Sequence, residues 1–317
     1  MRSARALAPA LALAAACAGG AGPSAPAAAR EPKAGDVTTD PGGWVEYTVG
    51  DAPLVISAPH GGSLSPSFLP TRSCAGCLTG GDEGIEDLAR RVAAKFQART
   101  GMRAHVVIAR ISRAKLDANR DVVEGTGGNA ATVPIWEAYH AFLDSAGARV
   151  ARAHRRGLLL DLHGTAHPLP RLELGYLTSA AELRLADDAL GASGAVARSS
   201  IARLASDNRG HASAVALLRG PTSLGAILAR NGYPAVPSPG QPAPAVGEEY
   251  YDGGYITDRH GSSRGGSVDA IQIEAWKTGV RDTPANLDRY AAAIVATAIE
   301  YLDVHYGWTS PSPVLLR

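Results

Sequence analysis

Short apolar runs that end near ionisable residues constrain this chain most. PLVISAPH (Pro53 to His60), AHVVIARI (Ala104 to Ile111), GLLLDLHG (Gly157 to Gly164) and DAIQIEAW (Asp269 to Trp276) read as strands. Between them the spacing predicts helices. Residues 82–99 carry Ile85, Leu88, Ala89, Val92 and Phe96 at helical intervals, and Gly101 closes that segment. Further helices are expected over 133–154, over 180–205 with a break near Gly191 to Gly194, over 223–230 and over 284–305. Residues 234–266 read as a long polar loop rich in Gly, Pro and Tyr, the kind that is functional or disordered in compact domains. Strands alternating with helices predict an α/β fold, a three-layer sandwich around a central mixed, mostly parallel sheet. No internal repeat is visible.

Composition narrows the function. Lys and Arg number 31 against 30 Asp and Glu, a net charge of +1, with 45% apolar residues. That balance suits a soluble globular domain and excludes a disordered chain. It also excludes a nucleic-acid binder held by bulk charge, because no basic excess exists to neutralise phosphates.

The first residues, MRSARALAPALALAAACAGG, place Arg2 and Arg5 before a short apolar stretch, Ala6 to Ala16. The stretch is too short to span a bilayer, which needs about 20 residues. A basic start, an apolar centre and small residues fit an export signal over 1–22. Ala14-Ala15-Ala16 before Cys17 also resembles a lipoprotein cleavage site, so any membrane attachment is expected only through a lipid anchor at Cys17. Residues 23–43 read as a flexible Ala/Gly/Pro-rich linker, and 44–317 as one catalytic domain. The expected location is outside the cytoplasm: secreted, periplasmic or at the cell surface. In an exported protein Cys74 and Cys77, in CAGC, read as a small loop disulfide. A four-sulfur zinc site is excluded because no second pair exists.

The chemistry gathers at strand ends. His60 and His163 each follow an apolar run and precede glycine, which lets a ligand approach closely. Ligands in open α/β sheets bind beyond the carboxyl ends of strands, so the two imidazoles are candidate metal ligands. Asp161 lies two residues before His163, on the same sheet face, where it could orient the imidazole. A third ligand should be a carboxylate, and Asp82 and Glu83 in TGGDEGIEDLA both qualify; acids there also suit a helix start. Glu274 lies inside an apolar strand, where an unpaired carboxylate is costly, and is the candidate general base. SRAKLDANR (Ser112 to Arg120) carries Arg113, Lys115 and Arg120 with Asp117 and Asn119, and a fixed Asn-Arg pair near a metal could hold an anionic substrate end.

In order along the chain, PHGG, GGDEGIEDLA, SRAKLDANR, LLLDLHG, GGYITDRHGS and IQIE resemble N-formylglutamate amidohydrolase-like proteins. The resemblance covers roughly Pro53 to Tyr301 and implies a phosphorylase/hydrolase-like fold of the zinc-carboxypeptidase kind. It implies zinc on His60, Asp82 and His163, a substrate carboxylate held by Asn119 and Arg120, and a carbonyl polarised by Arg113. It implies water activated by Glu274, with Tyr255 and His260 in a loop over the substrate. The expected function is an exported zinc-dependent amidohydrolase acting on a small acidic N-acyl amino acid or peptide. Two other readings are an exported metal- or ligand-binding protein that keeps the fold without catalysis, and a thiol–disulfide protein using Cys74 and Cys77. A serine hydrolase is disfavoured because no GxSxG elbow occurs.

Overall fold

The computed structural model describes residues 31–74 and 76–311. The expected signal segment 1–22, its Cys17, and residues 23–30 of the expected linker lie outside the described residues. Eight strands form one sheet: β1 (Val37–Thr39), β2 (Val45–Thr48), β3 (Leu54–Ala58), β4 (His105–Ala109), β5 (Gly157–Gly164), β6 (Leu172–Gly175), β7 (Ala235–Val236) and β8 (Val268–Ala275). Their spatial order is β1-β2-β4-β3-β5-β8-β6-β7. The central strands β4, β3, β5 and β8 are all parallel. Antiparallel β2 and β6 flank them on either side. The sheet is therefore mixed with a parallel centre, as the alternation of elements implied.

One correction concerns the linker. β1 pairs with β2, Val37 opposite Thr48, so the expected 23–43 linker runs at least partly as sheet and the folded region begins before residue 44. β1 is exposed along its length, which hides it from any reading based on apolar runs.

The centre of the sheet is buried on both faces, and side chains alternate between two cores. Leu54, Ile56 and Ala58 of β3, with Leu158, Leu160 and Leu162 of β5 and Ile271 and Ile273 of β8, pack on one side with the helices Ile85–Thr100 and Pro284–Tyr301. Val55, Leu159, Val268 and Ala270 face the other side, under the helix Val133–His154. A period of two along a strand produces this split. On the second face the strands turn polar towards their carboxyl ends: Ser57 after Val55, Asp161 and His163 after Leu159, and Gln272 and Glu274 after Ala270. No helix among the described residues is long and apolar enough to cross a membrane.

Several boundaries differ from the sequence reading for physical reasons. The helix expected from residue 82 begins at Ile85, because Gly84 adopts φ 84° and breaks the turn. Asp82 is thereby left on a loop. The region 180–205 is a set of short helices rather than one, with turns at Gly194 and Ser199 between them. Within 234–266 lie β7 and the helix Tyr255–His260.

His105, at the start of β4, is buried and accepts a hydrogen bond at Nδ1 from the Gly50 amide (3.0 Å). Burial, with the charges of Arg149 and His154, pushes its pKa from 6.5 down to about 4. The unfolded chain binds this proton more readily, so the neutral imidazole favours folding above pH 6.5. That contribution is lost as pH falls from 6.5 towards 4. His105→Gln is expected to flatten the pH dependence of the urea midpoint across that window; an unchanged slope would contradict the assignment.

Candidate metal centre

Because β3, β5 and β8 run in parallel, their carboxyl ends open on the same edge of the sheet. His60 follows β3 after Pro59, and His163 and Glu274 are direct register partners on β5 and β8. Asp82 enters from the loop before the helix Ile85–Thr100. Its amide donates to the His60 carbonyl (2.9 Å), and its Oδ2 accepts from the Gly164 amide (3.0 Å). Arg281 clasps this loop to the strand ends, donating to the carbonyls of Glu83, Thr165 and Ala275 at 2.9, 2.9 and 3.0 Å. A Cβ at position 164 would collide with the Arg281 guanidinium, which accounts for the glycine after His163.

The result is a convergence of buried donors. Asp82 Oδ2 lies 3.4 Å from Nδ1 of both His60 and His163, and Glu274 Oε1 lies 3.9 Å from His163 Nδ1. On the far side of each ring, Nε2 meets a carboxylate: His60 Nε2 with Asp117 Oδ1 at 2.7 Å, and His163 Nε2 with Asp161 Oδ2 at 2.8 Å. An ionised carboxylate only accepts, so each Nε2 carries a proton, and a ring with no proton on Nδ1 turns a lone pair towards Asp82. His60 Nδ1 is buried with no hydrogen-bond partner.

Lone pairs facing a carboxylate in a dry pocket repel unless a cation lies between them, either a metal ion or a proton; against the cost of burial, Asp161, Asp82 and Glu274 raise the affinity of His163 for that proton well above its usual value. Asp82, Asp117, Asp161 and Glu274 are all buried here, against the buried guanidiniums of Arg72 and Arg113. Each buried ion forfeits several kcal/mol of hydration, to order of magnitude, so the excess of carboxylates calls for more positive charge. Two imidazoles, one carboxylate and an outer acceptor on each imidazole are the donor set of a catalytic divalent-metal site. His60, Asp82 and His163 thus fit a metal site, their ligand atoms lying within 4.8 Å of one another. Glu83 points outward to Lys277 at 2.6 Å, which leaves Asp82 as the acid of the pair at the site.

The environment sets the charge states. Burial works against ionised Asp82, but hydrogen bonds and charge from the imidazoles of His163 and His60, when these are protonated at Nδ1, outweigh it and hold the carboxyl well below its usual range. Glu274 moves the other way: burial, reinforced by Asp82 and Glu173 against the opposing imidazoles, pushes it up to about 7.

A cavity of about 60 Å³ opens over these groups, lined also by Arg113, Asn119, Arg120, Tyr251, Gln272 and Leu78. Arg113 is fixed by its Nε donating to Asp117 Oδ2 (3.0 Å), with Nη1 3.7 Å from Asp82. Arg120 is partly exposed; its Nε pairs with Glu124 and its Nη1 donates to the Asn119 carbonyl. Cys74 and Cys77 form a disulfide in the loop that precedes Leu78. Arg72 joins that loop to the site, donating to Leu78 O (2.6 Å) and the Arg113 carbonyl (3.0 Å).

Two expected substrate residues are not here. Tyr255 and His260 lie on the helix Tyr255–His260, which packs on the helix Val133–His154. Tyr255 sits against Trp136 and His140, and His260 Nε2 bonds His140 Nδ1 at 2.9 Å. His260 lines a separate cavity of about 340 Å³ with Asp144 and Val268, by the opposite ends of the strands. The residue of that segment that does reach the site is Tyr251, stacked on His167 with ring centroids 4.4 Å apart. Sequence reading also missed Gln272 and the part played by Asp117. Period-two alternation with Glu274 could have flagged Gln272; nothing local marks Tyr251 over its neighbours Tyr250 and Tyr255.

No family model matches the chain, and no curated protein matches it. Solved structures similar to it include the N-formylglutamate amidohydrolase from Ralstonia eutropha, at 13% identity and a TM-score of 0.46, covering 81% of this chain and 96% of that one. An N-acetylmuramyl-L-alanine amidase from Mycobacterium smegmatis has 14% identity and a TM-score of 0.37, covering 78% and 96%. A candidate metallopeptidase from Shewanella amazonensis has 10% identity and a TM-score of 0.33, covering 82% and 80%. Values this low do not carry an activity from those proteins to this chain.

The outer acceptors are open to test. Asp161→Ala removes the acceptor that fixes His163, and is expected to weaken divalent-metal binding about 10- to 100-fold in calorimetric titration. Wild-type affinity in that variant would contradict the orienting role.

Proposed function

We propose that this chain is an exported zinc-dependent hydrolase of amide bonds in small acidic N-acyl amino acids or peptides. The observation that carries the reading is the placing of Glu274. A buried carboxylate lies beside the metal-binding donor set, in a cavity that also holds two arginines. His60, Asp82 and His163 would hold the ion, and their nitrogen and oxygen donors suit zinc. When bound, such an ion supplies a Lewis acid that lowers the pKa of water and polarises a carbonyl.

The chain's own residues divide the remaining work. Glu274 takes the proton of the attacking water and later delivers it to the departing amide nitrogen; a carboxyl raised by burial suits both transfers. Arg113, locked by Asp117 and reaching towards Asp82, is placed to stabilise negative charge growing on the carbonyl oxygen. Arg120, nearer solvent, offers its guanidinium to an acidic group of the substrate. The cavity, about 60 Å³, favours a small group at the reacting end. The basic-then-apolar start of the sequence and the Cys74–Cys77 disulfide both favour an oxidising location outside the cytoplasm.

Glu274→Gln keeps the shape of the site but removes the base. It is expected to retain bound zinc while kcat falls about 10²- to 10⁴-fold on a panel of N-acyl amino acids. Near-normal turnover in that variant would remove Glu274 from the mechanism. Zinc binding without turnover in the wild type would favour a binding protein instead. Arg120→Ala is expected to raise KM about tenfold or more for acidic substrates and little for neutral amides; an equal loss on both would contradict a carboxylate-binding role.

A further inference from the structure

Asn119 was expected to hold a substrate carboxylate, yet its side chain is already engaged. It is buried, its Oδ1 accepts from the Ile256 amide (2.9 Å), and its Nδ2 donates to Gln272 Oε1 (3.3 Å). Gln272, also buried, donates from Nε2 to Glu274 Oε1 (2.9 Å). The direction of this chain is fixed by the Ile256 end. The Ile256 amide can only donate, which sets the Asn119 amide and through it the Gln272 amide, and the ionised Glu274 carboxylate accepts at the other end. Each amide between them must therefore turn its oxygen towards Ile256 and its nitrogen towards Glu274. A Cβ on Gly254 would collide with the Asn119 amide, so the backbone of the 251–260 segment lies directly against it.

We infer that Asn119 and Gln272 form a one-way amide relay that positions Glu274, and that Asn119 is a positioning residue rather than a ligand for substrate. The relay ties the base to the first turn of the helix Tyr255–His260, just beyond the segment that brings Tyr251 and Gly253 to the cavity. Glu274 has no other side-chain donor at hydrogen-bond distance among the described residues. Without Gln272 its carboxylate is free to rotate away from the reacting position. Substrate carboxylate recognition then falls to Arg120, whose guanidinium lines the cavity. This inference rests on the reading of Glu274 as the base.

The test uses the zinc-loaded protein and the variants Asn119→Ala, Gln272→Met and their combination. The relay predicts that each single change lowers kcat about 10- to 100-fold, the range typical of lost supporting contacts. It predicts that KM for acidic substrates and zinc content stay near wild type. It also predicts that the double variant is no worse than the poorer single one, because both cut the same chain. A rise in KM confined to acidic substrates in Asn119→Ala with kcat retained, or losses that multiply in the double variant, would overturn it. A second arm does not depend on activity. Crystal structures of metal-free Gln272→Met and Asn119→Ala should show the Glu274 carboxylate displaced from His163 while His60, Asp82 and His163 keep their places. An unmoved carboxylate overturns the relay. Absence of any hydrolysis by the wild type would defeat the reading of Glu274 as base, and the crystallographic arm would still decide the relay.

Discussion

Two imidazole nitrogens and a carboxylate oxygen facing one another in a dry pocket are the constraint on which the rest of the site depends. His60 and His163 each turn Nδ1 towards Asp82 Oδ2 at 3.4 Å, and both rings are buried. The arrangement is electrostatically unfavourable without added positive charge. Asp117 and Asp161 accept from His60 Nε2 and His163 Nε2 at N···O distances of 2.7 and 2.8 Å and keep the rings from turning away. A divalent ion held there would relieve the repulsion and would account for the buried acids gathered at one sheet edge.

The sheet makes this possible through its parallel centre. β3, β5 and β8 deliver their last residues to one side, and the strict alternation along each strand sends the polar ones to one face. Asp117 links the parts: its Oδ1 accepts from His60 and the Asn119 amide, and its Oδ2 from Arg113 and Arg72. The same carboxylate therefore sets the orientation of His60, a candidate metal ligand, and of Arg113, proposed to face the reacting carbonyl. Arg281 performs a comparable task for the Asp82 loop, bridging three backbone carbonyls. The geometry of the candidate site is held largely by Asp117, Asp161 and Arg281, which are not among the residues lining its cavity.

Much of this was legible in the sequence, and the reason is local. The central strands are apolar on both faces, so Leu54–Ala58 and Gly157–Gly164 stand out as runs, and a histidine or acid at their ends is conspicuous. What escaped depends on partners far away in the chain. β1 is exposed and short, and is held by pairing with β2 rather than by an apolar pattern. Whether Tyr251 or Tyr255 reaches the cavity is decided by where the helix Tyr255–His260 begins, and its anchor is Asn119 on a distant segment. Gln272 gave no signal beyond its alternation with Glu274. Asp82 and Glu83 could not be separated until Gly84 and Lys277 showed which one turns inward.

The most direct measurement is a crystal structure of the protein purified without chelator, with diffraction collected on both sides of the zinc absorption edge. The account predicts one anomalous peak per chain, bounded by His60 Nδ1, His163 Nδ1 and Asp82, with the Glu274 carboxylate beside its open coordination position. A protein that stays metal-free when supplied with zinc, or a peak held by other residues, would contradict it.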